Sequence, residues 1–205
     1  GRYGVKTTTQ FLLEQTGLLH TPETWYEWMA IPSYALAAAC AGEIFYDGPG
    51  DMTRLRETLR TGMPEDVRIK KIAGHAALMA QSGQYNVSRC CRHGEESAAR
   101  LACCEFVNHT LAMLFLLNGR HMPFYKWAFR AAKELPKLSE LVPALEALLR
   151  EPDETEIERV SAAVIAELRA QGLTDGSWDF LEPHAYAVMR RIQNPEIAAL
   201  HIMEV

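Results

Sequence analysis

Three groups of basic side chains are the residues in this chain best suited to grip an anion: Arg68, Lys71 and His75; Arg89 and Arg92; and Lys126, Arg130 and Lys133. Arginine offers a planar fork that holds a phosphate at two points, and lysine a compact point charge. Within each group the members sit at helical intervals, so they share a face wherever the chain is helical. Phe124, Tyr125 and Trp127 lie beside the last group, and a ring beside a cation can stack on a base. Arg89, Arg92, Lys126 and Arg130 are accordingly the candidate phosphate- or nucleotide-binding residues. The alternative is that these are solvated faces with ordinary ion pairs to Glu65, Glu95 or Glu134.

A second constellation is Glu105 and His109, four residues apart and therefore neighbours on a helix, with Ala98, Ala102 and Ala112 on the same stripe. We expect a buried polar network there. A buried carboxylate needs a cation, and Arg89, Arg92 or Lys126 are the nearest suppliers in sequence. If Glu105 is buried against one of them, its loss should cost roughly 3 kcal/mol or more. A solvated Glu105 should cost under about 0.5 kcal/mol.

These residues need helices to position them, and the pattern supplies helices almost throughout. Leu101–Leu117 is apolar on nearly every face, which predicts a central buried helix over about 95–118 in an all-α, multi-helix bundle. Glu105, Asn108 and His109 fall in one of its turns and argue against a membrane span. Thr21-Pro22-Glu23 reads as a helix start, with the helix ending before Pro32, and Ser33 as the cap of the next. Ile44-Phe45-Tyr46 is at most a short extended piece. Pro64-Glu65-Asp66 opens a helix reaching about Ser82, and Gly83-Gln84-Tyr85-Asn86 reads as a loop. Pro123 opens a helix to Leu135, with Phe124, Trp127 and Ala131 expected to anchor it to the central helix. Glu151-Pro152-Asp153-Glu154 is the candidate boundary between a main helical domain (1–150) and a packed helical extension (151–205). In that extension Ile157, Val160, Val164 and Leu168 keep a 3.6-residue period.

Composition narrows the class. The 205 residues can build a substantial core unaided, and a net charge of −5 excludes a wholly basic nucleic-acid binder while leaving room for a local basic patch. Five cysteines, two of them adjacent pairs, show neither a disulfide framework nor zinc spacing, which suggests reduced thiols and a cytoplasmic location. Glu43, Asp47 and Asp51 invite a metal reading, but a turn at Asp47 and a helix cap at Asp51 explain them better. There is no P-loop, dinucleotide fingerprint, HExxH or G-x-S-x-G.

Several segments in order resemble the DUF4037 family, the helical carboxyl-terminal domain of bacterial nucleotidyltransferase-like proteins. They are Trp28–Pro32, Gly42–Asp47, Pro64–Val67, Gly83–Asn86, and Phe115–Asn118 through Pro123–Trp127. Where that family often has Arg-Gly-Asp, this chain has Arg92-His93-Gly94-Glu95. The resemblance implies a helical nucleotide- or acceptor-binding domain whose partner is an amino-terminal nucleotidyltransferase-like domain. Mg²⁺ and a nucleoside triphosphate would be engaged with that partner. The chain itself lacks the catalytic carboxylates: its single Gly-Ser, Gly176-Ser177, precedes only Asp179, with no Asp-x-Asp. The first residue is not Met, which fits a helical part separated from such a domain. The alternatives are a non-catalytic interaction or scaffold domain, or a HEPN-like RNA-binding or ribonuclease module. For the last, Arg68 and His75 resemble the family's Arg/His motif, though Ile69 stands where a polar residue is usual.

Overall fold

The computed structural model describes residues 4–205 and is helical throughout, with no strand among them. The helices are α1 (Thr8–Thr16), α2 (Trp25–Ala30), α3 (Ser33–Ala39), α4 (Asp51–Thr61) and α5 (Glu65–Met79). A π-helical segment (Ala80–Val87) runs without a break into α6 (Ser88–Arg92). Then come α7 (Glu96–Leu117), α8 (Tyr125–Ala132), a 3₁₀ turn (Ser139–Leu141), α9 (Val142–Leu148), α10 (Glu154–Ala170), α11 (Leu181–Met189) and α12 (Pro195–Ala198). Residues 44–46 form no regular structure, and Phe45 and Tyr46 are exposed.

The expected central helix is present as α7. Phe106, Met113 and Leu114 are fully enclosed, and α5 and the π segment lie along it. α5 shares the centre. Val67, Ile72, Ala73, Ala76 and Met79 are all inaccessible, because α7 covers one side and α11 the other. α7 keeps one open edge, where Leu101, Cys104, Glu105 and Asn108 face outward. It is long and apolar enough to cross a membrane by composition, yet its apolar residues are spent on the core. In α10 the periodic Ile157, Val160, Val164 and Leu168 are all buried, and Asp153 caps the helix by accepting from Thr155 N and Glu156 N.

Three local readings are corrected by tertiary contacts. The second helix begins at Trp25, where Thr24 and Glu27 form a reciprocal capping box in place of a start at Pro22. Ser33 is already helical, and its hydroxyl accepts from the backbone N of Met122 instead of capping its own helix. Residues 83–86 are no loop but lie within the π segment. Gly83 lies under the Phe106 ring, where a Cβ would come within 2.3 Å of Cδ2. The Gln84 amide, buried, donates to Glu158 and to the Asp179 carbonyl and accepts from Leu181 N. A wider helical turn satisfies both demands at once, which is where π turns tend to occur.

The tail is tied to α5. Asp66 accepts from the backbone N of Gln193 and Asn194, and the fully enclosed Lys70 donates to the carbonyls of Ile202 and Glu204. Those carbonyls, with the nearby Glu204 carboxylate, compensate the buried cation.

A cationic cleft around His121

α5 and α7 run side by side and present Lys71 and His75 from one, Asn108 and His109 from the other, to a single cavity of about 360 Å³. The bend between α2 and α3 (Met29–Ser33) closes one wall, and His121 and Met122 close another. His75 Nδ1 lies 3.1 Å from His109 Nδ1, with ring centroids 5.3 Å apart. One ring must therefore carry its proton on Nδ1 and the other on Nε2. His121 Nε2 donates to the carbonyl of Leu59 at 2.7 Å, which leaves its Nδ1 free. Lys71 Nζ reaches only the Met29 carbonyl, at 3.4 Å.

No aspartate or glutamate side chain lines this cavity. Burial consequently dominates the titrations. His75 is pushed down to about 3 by burial first, then by the neighbouring His109 and Lys71. His109 is lowered by burial, against the opposing pull of Glu105. Burial likewise lowers His121 and Lys71. With no aspartate or glutamate in the lining, an anion entering the cavity would offset the cost of burying part of Lys71.

His121, Met63 and Leu116 are shared with an adjoining groove of about 430 Å³ that carries Arg60, Arg68 and Arg120. Arg68 is held there by Glu65 and the Leu116 carbonyl. Arg60, Arg120 and His121 also line a third hollow, of about 390 Å³, toward Cys40 and Glu134. The three spaces meet at His121. A larger and shallower hollow between α9 and α10, about 930 Å³, is rimmed by Glu151, Asp153, Glu154 and Glu156 and has the wrong charge for phosphate.

The candidate residues from sequence lie elsewhere. Arg89 and Arg92 are exposed on α6, donating to the Tyr85 hydroxyl and the Ser88 carbonyl. Lys126 and Arg130 are exposed on α8, which packs near Cys104, Val107 and Leu111 of α7. None of the four lines the cleft. Of the expected network His109 is half-buried, but its partner is His75 and not Glu105. Glu105 is exposed and makes no ion pair. The helix is rotated so that Phe106 and Val107 take the core, placing Glu105 on the open edge. Glu105→Ala is therefore expected to change stability by less than about 0.5 kcal/mol in urea unfolding. A loss of several kcal/mol would contradict this placement.

The sequence signalled Lys71 and His75 as one face of a helix, and His109 as part of another. It gave no signal for His121 or Arg120, which arrive from the stretch between α7 and α8. Among the described residues no three His, Cys, Asp or Glu side chains converge as a metal site, and the cleft offers no carboxylate pair fitted to Mg²⁺.

Fold and site together define an all-α domain with an enclosed cationic cleft. Residues 28–128, just under half of the chain, match the family model DUF4037, a domain of unknown function, and the resemblance read from the sequence holds over that stretch. Every element that lines the cleft, apart from Val205 at its edge, falls within the matched residues. No curated protein and no solved structure matches the chain.

Proposed function

We propose that this domain binds the phosphate-bearing part of a nucleotide or nucleotide acceptor in the cleft around His121, as the helical half of a cytoplasmic nucleotidyltransferase-like protein. The observation that carries the reading is Lys71, half-buried with three histidines in a cavity whose lining includes no aspartate or glutamate. Lys71 supplies the fixed charge, and the Arg60–Arg120 groove receives a further anionic group. The cavity's volume lies in the range of small-molecule sites. The amino-terminal nucleotidyltransferase-like partner would supply Mg²⁺ and the catalytic carboxylates, since this chain offers neither.

Calorimetric titration with ATP and with inorganic pyrophosphate tests this. Lys71→Ala should weaken binding by about 1.5–3 kcal/mol, over tenfold in affinity, with the fold intact by circular dichroism. An anion favours protonated imidazole, so affinity should rise as pH falls from 8 to 6, with proton uptake on binding. Unchanged affinity in a folded Lys71→Ala protein would overturn the reading, as would no binding of either ligand at millimolar concentration.

A further inference from the structure

α8 is turned by about one residue, roughly 100°, from the facing its sequence suggests. It buries Ala128 and Ala132, with Phe129 partly covered, so it lies close on the bundle and turns its large rings outward. Trp127 is 55 % exposed and Tyr125 66 %. Phe124 and Tyr34 of α3 are exposed beside them, and Tyr34–Phe124 and Phe124–Tyr125 are in ring contact at 5.7 and 4.5 Å. Tyr34, Phe124 and Tyr125 form one exposed ring cluster, and Trp127 lies further round the same short helix, with Lys126 and Arg130 on the outer face between them.

Cations are interleaved with those rings. Arg130 sits over the Trp127 ring at 5.3 Å, and among the described residues neither Arg130 nor Lys126 is in an ion pair. Lys133, further along, is paired with Glu146 at 2.7 Å. An apolar protein partner would strand Lys126 and Arg130 without water, and charged residues are depleted at the cores of such interfaces. A lipid surface would need a continuous apolar face, which the alternation of ring and cation along this eight-residue helix denies it. Stacking rings with fixed positive charges between them match a polymer of alternating bases and phosphates.

We propose that Tyr34, Phe124, Tyr125 and Trp127, with Lys126 and Arg130, form a binding strip for single-stranded nucleic acid. Bases stack on the rings and phosphates lie against the two cations. The strip does not depend on the cleft, whose charges lie on other elements.

Fluorescence anisotropy with a short labelled oligoadenylate at low salt is the test. The wild type should bind, with affinity falling as salt rises. Trp127→Ala should weaken binding about fivefold or more, while Trp127→Phe retains most of it. Lys126→Glu with Arg130→Glu should abolish it. Tyr34→Ala, on a different helix, provides an independent reading should an α8 variant fold poorly. Inorganic pyrophosphate should not compete, so the outcome is separable from that at the cleft. The proposal falls if the oligonucleotide fails to bind, if Trp127→Ala and Tyr34→Ala bind as tightly as the wild type, or if the patch binds phosphatidylserine vesicles and not the oligonucleotide.

Discussion

Phe106→Ala is expected to lower the unfolding free energy by about 3–5 kcal/mol, the usual cost of emptying a buried aromatic site. Phe106 is fully enclosed, and its ring is the surface on which the π segment rests at Gly83. The reverse change, Gly83→Ala, drives a methyl against that ring and should cost about 1–3 kcal/mol by overpacking. Combining the two should cost less than the sum, since the methyl then enters space the ring has left. Urea unfolding of the four proteins measures this directly. If Phe106→Ala costs under about 1 kcal/mol, the ring does not hold the π turn.

The second large effect is acid sensitivity. His75, held down at about 3, and His109, also lowered, are neutral in the folded protein but protonate near 6.5 when it unfolds. Below pH 6.5 the unfolded chain binds more protons than the folded one, so stability is complete above that pH. It drains as pH falls toward about 3. The groups facing the pair are Lys71, which disfavours protonation, and Glu105, which favours it at His109. Roughly 3–5 kcal/mol should be lost across the window. His75→Asn should flatten the slope between pH 6.5 and 4.5, and a bound phosphate should do the same by stabilising the charged rings. Parallel slopes for wild type and variant would show that His75 titrates normally.

Where burial follows from a regular period, the sequence was a sound guide. The stripe of α10 can face only one way once a core exists, and it does, while the apolar run of α7 made that helix central without fixing which edge stays open. The failures share a cause: side chains placed by contacts distant in sequence. Gly83-Gln84-Tyr85-Asn86 has loop chemistry, but Phe106 and Leu181 hold it helical. Trp127 is hydrophobic, but the alanines of α8 permit closer packing and win the inner face. The basic residues of α6 and α8 were the conspicuous ones because they cluster in sequence. The cleft draws Ser33, Lys71, His109 and His121 from four separate places, and only folding makes them a group.

α5, the π segment and α6 form one rod from Glu65 to Arg92, in which eight residues close wider rings than their neighbours do. This makes Ala80–Val87 a stretch that stores more residues per turn than the α-helices it joins. Exchanging an outward residue such as Gln81 leaves the winding of the rod unchanged. Removing one residue would let the stretch relax to an ordinary α-helix, whose tighter turns make up the rotation of the lost residue, so Arg89 and Cys90 keep nearly the same bearing around the axis. The stretch thus tolerates the loss of a residue that the α-helices on either side would not, and the chain still turns into α7 on the same side.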